Sequence, residues 1–294
     1  MMRTFLLTAC ALGAFAANSI LARLALGAGA IDASSYSSLR IVSGAVVLWL
    51  IAAASGRREA ALRPEWGSAA WLCLYAVPFS FAYISLSTGT GAVLLFAAVQ
   101  VTMLLAAYAG GERLSAAQWL GLGLAGGGVV YLVSPGLDAP SLTGSVLMVL
   151  AGAAWGAYSL CGRRAADPIA STAANFVYAA PLMVPVFAGA VLLDAVTLSA
   201  AGVALALASG GIASGLGYVL WYAALRHLTA GRAAIVQLLV PVMAAAGGVL
   251  ILGEAASWRL VQSATVILAG VALALRASRG RRGRHPSRSQ PSRS

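Results

Sequence analysis

The chain has 294 residues, of which 61% are apolar and only 9% are charged. Soluble domains carry about 25% charged residues, so this composition excludes a water-soluble globular protein. A helix needs about 20 residues to cross a hydrocarbon core about 30 Å thick, so the length suits about ten spans and leaves no room for a soluble catalytic domain.

Arginine supplies all the side-chain positive charge counted at neutral pH, because the 19 basic residues include no lysine and stand against 8 acidic ones. In a membrane protein a net charge of +11 indicates basic loops that face anionic lipid rather than nucleic acid. The three cysteines, Cys10, Cys73 and Cys161, lie in apolar runs and indicate neither disulfides nor a metal site. We therefore expect a lipid bilayer around the protein, no nucleic-acid partner, no metal and no cofactor.

Nine charge-free runs mark the predicted spans. They cover residues 4–22, 41–56, 66–111, 114–137, 139–162, 168–193, 195–225, 233–253 and 260–275. The third run is long enough for two helices, and Ser87-Thr88-Gly89-Thr90-Gly91 predicts a tight turn inside it. The two short runs must take in Arg40 and Arg259 to reach spanning length. The sequence thus predicts an all-α integral membrane protein with ten transmembrane helices.

Arginine also predicts the orientation. With the N-terminus inside, the inner loops before residue 233 collect nine arginines, whereas the outer segments hold only Arg23 and Arg259. Arginine-rich short loops stay in the cytoplasm, so both termini are expected to be cytoplasmic. Residues 277–294 lack apolar periodicity and are expected to form a disordered basic cytoplasmic tail. Its arginines either fix the topology or bind lipid headgroups.

The sequence repeats itself at three nearly equal shifts. A shift of 140 aligns Phe15-Ala16-Ala17-Asn18-Ser19 with Trp155-Gly156-Ala157-Tyr158-Ser159 and Arg23 with Arg163; one of 139 aligns Phe79, Tyr83 and Leu86 with Tyr218, Tyr222 and Leu225; one of 142 aligns Gly111-Glu112 and Ser115 with Gly253-Glu254 and Ser257. Residues 1–137 and 138–276 are therefore predicted to be two five-helix repeats. Five is odd, so the second repeat is inverted, an arrangement typical of alternating-access transporters and of some channels.

The run from Ile235 to Leu273 resembles the repeated unit of the drug/metabolite transporter superfamily. The matching residues are Pro241, Gly253-Glu254, Ser257 and Gly270-Val271, with Trp155-Gly156 and Leu39-Arg40 at other recurring positions. The resemblance covers residues 4–275, is greatest to the ten-helix EamA-type exporters, and implies that helices 1, 3, 4, 6, 8 and 9 line a central cavity. Two departures are visible, because Val99 stands where the second repeat has Pro241, and Phe15-Ala16 where it has Trp155-Gly156.

Aromatic and amide side chains at helical spacing on these helices are the candidate substrate-binding residues. They are Phe15, Asn18, Ser19, Tyr75, Phe79, Tyr83, Phe96, Gln100, Trp155, Tyr158, Tyr218, Trp221, Tyr222 and Gln237. Polar tips on apolar bodies suit an amphiphilic solute such as an aromatic or branched amino acid. The alternative for each ring is core packing or an interfacial belt. Pro78, Gly217 and Pro241 are candidate gating residues, since proline and glycine loosen a helix.

Three charged residues near the spans are expected to be structural. Glu112 and Glu254 precede Ser115 and Ser257 at a spacing that suits acids and caps at the N-termini of the following helices. Arg40 is the deepest charge, roughly 10 Å inside its helix, and either attracts a substrate carboxylate or braces the bundle. No carboxylate lies in mid-helix, which disfavours antiport of cationic drugs, and the absence of lysine disfavours phosphorylated substrates.

These features predict a monomeric secondary transporter of a bacterial inner membrane. We expect it to export small metabolites, foremost amino acids, by alternating access through a central cavity. Proton antiport, exchange and facilitated diffusion all stay open as its energy source. The alternatives are a broad-specificity drug exporter, an intramembrane enzyme, which the lack of histidine in the spans disfavours, and a non-transport membrane protein.

Overall fold

A computed structural model describes residues 2–136, 138–162, 165–228 and 230–282. The helices are α1 Met2–Gly27, α2 Ala33–Ala54, α3 Trp66–Ala82, α4 Thr88–Ala109, α5 Ala116–Val133, α6 Leu142–Gly162, α7 Pro168–Leu192, α8 Ala200–Leu225, α9 in two segments Ala230–Gln237 and Leu239–Leu252, and α10 Trp258–Arg282. Within these residues nine helices are long and apolar enough to cross a membrane, and α3, with 17 residues, is a shorter apolar helix. The predicted all-α architecture is confirmed.

Serine and aspartate side chains begin several helices. Ser115 caps α5 in a reciprocal pair with Gln118, and the Ser257 hydroxyl accepts from the Leu260 amide at the start of α10. Ser87 caps α4, whose first turn begins at Thr88. The predicted turn at residues 87–91 was therefore wrong in position: the connection is residues 83–87, because the Ser87 cap starts the helix ahead of the glycines.

Three helices depart from regular α-geometry. In α9 the break falls at Leu238, where Pro241 cannot donate to the carbonyl of Gln237, four residues earlier. In α7 a break at Met183 lies between Pro181 and Pro185. Residues 208–216 of α8 wind as a π-helix. By contrast, α3 runs unbroken through Pro78, so that proline does not open its helix here.

Helix packing shows the inverted repeat directly. Exchanging each helix for its equivalent five places along turns the α1–α9 contact into α6–α4, α3–α6 into α8–α1, and α2–α8 into α7–α3, and all six contacts are present. The pairs α2–α7, α4–α9 and α5–α10 join equivalent helices. Two five-helix units thus pack about a pseudo-twofold axis, the arrangement expected for inverted repeats.

Glycines bring some of these helices into backbone contact. A Cβ on Gly121 of α5 would clash with the Gly270 carbonyl oxygen of α10, and a Cβ on Gly270 would lie 2.6 Å from that of Gly121. A Cβ on Gly210, in the π-helix of α8, would clash with the Arg40 carbonyl oxygen of α2. Close approach at these two crossings therefore requires glycine.

The last helix extends further than expected. α10 continues to Arg282, so residues 277–282 of the predicted disordered tail are helical. These residues continue the preceding apolar turns, and no glycine or proline before Gly280 interrupts them. Residues 283–294 of the predicted tail lie outside the described residues.

Candidate functional site

A small closed cavity lies where helices of the two repeats meet. Its volume is about 20 Å³. One water molecule needs ~10–15 Å³ on this measure, so the cavity has room for little more than one. Its walls are Phe15, Asn18 and Ser19 of α1, Arg40 of α2, Tyr75 and Phe79 of α3, Leu95 and Phe96 of α4, Trp155 of α6, and Ser214 and Tyr218 of α8. The bundle is therefore closed around this site.

Trp155 is the central aromatic side chain of the cavity. Its ring stacks on Tyr75, with centroids 5.6 Å apart, and meets Phe96 edge to face at 5.3 Å. Phe15 contacts it from α1 at 6.3 Å. The Trp155 indole N–H donates to the Tyr218 hydroxyl at 3.2 Å. Rings from both repeats thus share one contact network around the cavity.

An amide on α1 ties this helix to the π-helix of α8. The Asn18 Oδ1 accepts hydrogen bonds from the hydroxyls of Ser209, at 2.8 Å, and Ser214, at 3.3 Å. Both serines lie in the π-helix, and Asn18 and Ser214 line the cavity. π-Helical turns often occur at functional sites, and here the turn carries the hydroxyls that meet α1.

Arg40 brings a buried positive charge to the cavity wall. It is 3% exposed, and its Nη2 donates to the Tyr75 hydroxyl at 2.6 Å. Its guanidinium carbon lies 5.0 Å from the Tyr75 ring centre and 4.6 Å from that of Phe79, within cation–π range. Its Nη1 is buried without a hydrogen-bond partner.

Toward the cytoplasmic end predicted from the sequence, a second polar group adjoins the cavity. This inner polar cluster comprises Tyr158, Thr172, Asn175 and Tyr222. The Asn175 amide donates to the Tyr158 hydroxyl at 3.2 Å, and the Thr172 hydroxyl donates to the Tyr222 hydroxyl at 3.1 Å. The Tyr222 ring stacks on the cavity residue Tyr218 at 6.2 Å. The cluster therefore joins the cavity to α7.

At the opposite end an ion pair joins three parts of the chain. This outer cluster comprises Arg23, Thr88, Glu254 and the carbonyls of Tyr83 and Ile84. Arg23 Nε lies 3.2 Å from Glu254 Oε1, and its Nη1 donates to both carbonyls, at 3.3 and 3.1 Å. The Glu254 carboxylate accepts from the Thr88 amide at 2.9 Å. The cluster holds α1, the start of α4 and the α9–α10 connection together.

Glu254 is therefore structural, as expected, but at a different helix. It lies at the N-terminus of α4, not of the following helix α10, where the Ser257 hydroxyl accepts from an amide instead. The reason is that the inverted packing brings the α9–α10 connection next to the start of α4. Glu112, its equivalent in the first repeat, lies in the α4–α5 connection.

Eight of the predicted binding residues line the cavity. They are Phe15, Asn18, Ser19, Tyr75, Phe79, Phe96, Trp155 and Tyr218. The other six lie outside its walls. Tyr158 and Tyr222 belong to the inner polar cluster, Tyr83 lies in the α3–α4 connection, Gln100 is buried on α4, Trp221 packs against Phe15, and Gln237 is half-buried at the break in α9. The candidate gating residue Gly217 packs against α1, where its Cβ would lie 3.1 Å from Ala14.

The cavity walls also differ from those that the resemblance implied. None of the described lining residues comes from α9, which carries Gln237 and Pro241, whereas α2 contributes Arg40. The sequence analysis missed Leu95 and Ser214; the glycine-rich stretch around Ser214 was its only visible signal. Among the described residues, no group of three or more His, Cys, Asp or Glu side chains could hold a metal ion.

Comparison with known proteins agrees with this architecture. Residues 142–276 match the EamA-like transporter family. The uncharacterized protein PA1977 of Pseudomonas aeruginosa is 49% identical over 285 residues, which are 96% of this chain and 98% of that protein. A solved crystal structure superposes with a TM-score of 0.61 over 92% of this chain and 99% of its own, at 20% identity, which shows a common fold. The chain, a multi-pass membrane protein, belongs to the EamA-like transporter family.

Proposed function

We propose that this protein exports small amphiphilic metabolites, foremost amino acids with aromatic or other large apolar side chains, by alternating access. The observation that carries the proposal is the closed cavity between the two repeats, whose walls are mostly aromatic rings with a few polar groups. Such walls bind the apolar part of a solute by ring contacts and orient it through a few hydrogen bonds.

The charge of the cavity favours amino acids over cationic drugs. Arg40 is the only charged side chain among the lining residues, and no carboxylate accompanies it. A lipophilic cation bound beside a buried guanidinium would be repelled, because like charges interact strongly where water is excluded. A neutral, zwitterionic or anionic amphiphile does not meet this repulsion. The broad drug exporter, our second candidate, would require a cation to bind there.

The size of the cavity supports alternating access. About 20 Å³ is too little for an amino acid, so the helices around the cavity must move apart before a substrate enters. The paired contacts of the two repeats provide two equivalent ways to do so, one toward each face of the membrane. On this proposal the structure represents a closed state between the two open ones.

Flux into inside-out membrane vesicles tests both the substrate and the direction. These vesicles expose the cytoplasmic face, so an exported solute accumulates inside them. We expect uptake of labelled phenylalanine, competition by unlabelled tyrosine and leucine, and little competition by tetraphenylphosphonium. Vesicles without the protein are the control, and repetition with an imposed pH gradient tests proton coupling. Competition by tetraphenylphosphonium but not by amino acids would establish the drug exporter instead.

A further inference from the structure

Arg40 lacks the partners that buried arginines usually have. The two ion pairs among the described residues are Arg23 with Glu254 and Arg57 with Asp167, and Arg40 belongs to neither. In the outer cluster, Arg23 uses its donors on a carboxylate and two carbonyls, as a bracing arginine does. The guanidinium of Arg40 instead donates to one phenol, with Nη1 left over.

This arrangement leaves a binding site for an anion at the cavity wall. A guanidinium carries five N–H donors in a planar fork that matches the two oxygens of a carboxylate. A buried charge without a partner is costly, and a ligand that supplies the opposite charge removes that cost. The rings of Tyr75 and Phe79 lie against the guanidinium and leave Nη1 at the cavity. The missing partner is therefore a group that arrives with the solute.

We propose that Arg40 binds the carboxylate of the transported solute. The inference rests on the proposed function and narrows its substrate class to carboxylates joined by a short chain to an apolar group. With the carboxylate on Nη1, the apolar group lies among the rings of Tyr75, Phe79 and Trp155, which line the same cavity. Both zwitterionic amino acids and simple aromatic acids satisfy this requirement, whereas aromatic amines do not.

Three probes of similar size separate the carboxylate from the rest of the solute. Phenylalanine carries carboxylate and ammonium, 3-phenylpropionate carries only the carboxylate, and phenethylamine carries only the ammonium. We expect the purified wild-type protein in nanodiscs to bind the two carboxylates about 10- to 100-fold more tightly than the amine, the range typical of a hydrogen-bonded charge pair. Binding is measured by quenching of tryptophan fluorescence.

Variants assign that preference to Arg40. In Arg40→Gln the preference for 3-phenylpropionate over phenethylamine should disappear, and in Arg40→Lys it should fall but persist, because the charge remains while the fork is lost. Arg57→Gln removes an arginine outside the cavity and should keep the full preference. Circular dichroism and thermal unfolding report whether each variant is folded. If Arg40→Gln does not fold, the comparison of Arg40→Lys with the wild type decides.

The outcomes distinguish this inference from the proposed function. Equal affinity of the wild type for all three probes, or an unchanged preference in a folded Arg40→Gln or Arg40→Lys variant, overturns the carboxylate site while phenylalanine flux still supports the exporter. An arginine that only braces α2 against α3 would give this result, with lower thermal stability and an unaltered ratio of affinities. Failure of the wild type to bind or transport any probe overturns both.

Discussion

Trp155 contacts more of the cavity wall than any neighbouring ring, since it meets Phe15, Tyr75 and Phe96 and donates to Tyr218. Aromatic pairs contribute ~0.5–1.5 kcal/mol each beyond burial, so the indole both shapes the cavity and offers a face to an aromatic solute. The first repeat has Phe15 at the aligned position, which lacks the N–H donor. The two halves are therefore chemically unequal at their centre.

Replacement of this indole should weaken the binding of aromatic solutes. We expect Trp155→Ala to raise the KM for phenylalanine flux about tenfold, because one or two ring contacts are lost. Trp155→Phe keeps a ring without the N–H and should have a smaller effect. Trp119→Ala is the matched control, since Trp119 is 47% exposed and lies outside the cavity. An unchanged KM in folded Trp155→Ala would show that the indole only packs the core.

Helical spacing alone could not separate cavity rings from packing rings. Tyr75, Phe79 and Tyr83 recur every four residues and are expected on one face, yet only the first two reach the cavity. Tyr83 follows the last residue of α3, and its ring lies where a Cβ on Gly91 of α4 would be 2.6 Å away. The cavity is shorter than the row of rings. Its depth depends on packing between helices, which no single-helix pattern contains.

At the scale of elements, glycines on one helix differ in what they face. Gly121 and Gly123 both lie in α5, yet only Gly121 meets the backbone of α10, whereas a Cβ on Gly123 would have no neighbour within 4 Å. Glycine spacing in the sequence indicates helix packing but does not say which glycine packs. The pair therefore offers an internal comparison, because the two positions share their helix and its propensities.

Alanine at these two glycines should have opposite consequences. Gly121→Ala forces α5 and α10 apart and should destabilise the protein by ~1–3 kcal/mol, as overpacking does. Gly123→Ala adds a methyl group to open space and should be neutral or slightly stabilising, since alanine favours a helix by ~0.5–1 kcal/mol over glycine. Thermal unfolding of both variants in the same detergent measures the difference. Equal stabilities would mean that the α5–α10 crossing adapts without cost.

Helix breaks were less predictable than helices. Apolar runs between charges marked ten helices because the hydrocarbon thickness sets their length. The breaks at Met183 and Leu238 and the π-helix at residues 208–216 fall inside such runs, where hydropathy is uniform. Proline explains two of the breaks after the fact, but Pro78 causes none. The difference lies in the neighbouring helices, which decide whether a freed carbonyl is tolerated.

At the scale of the whole molecule, the sequence predicted the two repeats but not their contact surfaces. Shifts of 139 to 142 residues gave the inverted pairing that the helix contacts reproduce. The same shifts could not place Arg40 at the cavity, since α2 lies outside the six helices that the family resemblance implied. α2 reaches the cavity because the glycines of the π-helix in α8 let the two backbones approach.

The repeat also relates the outer cluster to a second pair of residues. The shifts that align Arg23 with Arg163 and Glu112 with Glu254 exchange the partners of the outer ion pair between halves. Arg23 comes from the first repeat and Glu254 from the second, so the equivalent pair is Arg163 with Glu112, at the opposite end of the bundle. Arg163 lies outside the described residues. Alternating access would make the two pairs alternatives, one closing each face.

Neutral variants of the two glutamates should therefore shift the transporter in opposite directions. Glu254→Gln keeps the shape of the side chain but loses the ion pair. A hydrogen bond to a charged group contributes ~1.5–3 kcal/mol, so the outward-open form should gain about tenfold or more in population. Glu112→Gln should favour the inward-open form. The reporter is a single cysteine at the cavity residue Ser19, with Cys10, Cys73 and Cys161 replaced by alanine.

A membrane-impermeant maleimide added to intact cells reads the result. With the predicted orientation, Glu254→Gln should speed labelling of the Ser19→Cys reporter from outside, and Glu112→Gln should slow it, while the background without the reporter stays unlabelled. Reversed signs would mean that the protein lies in the membrane the other way up, since the two ends exchange roles. Changes of the same sign in both variants would contradict the paired closure, because loss of one ion pair would then loosen the whole bundle rather than one face.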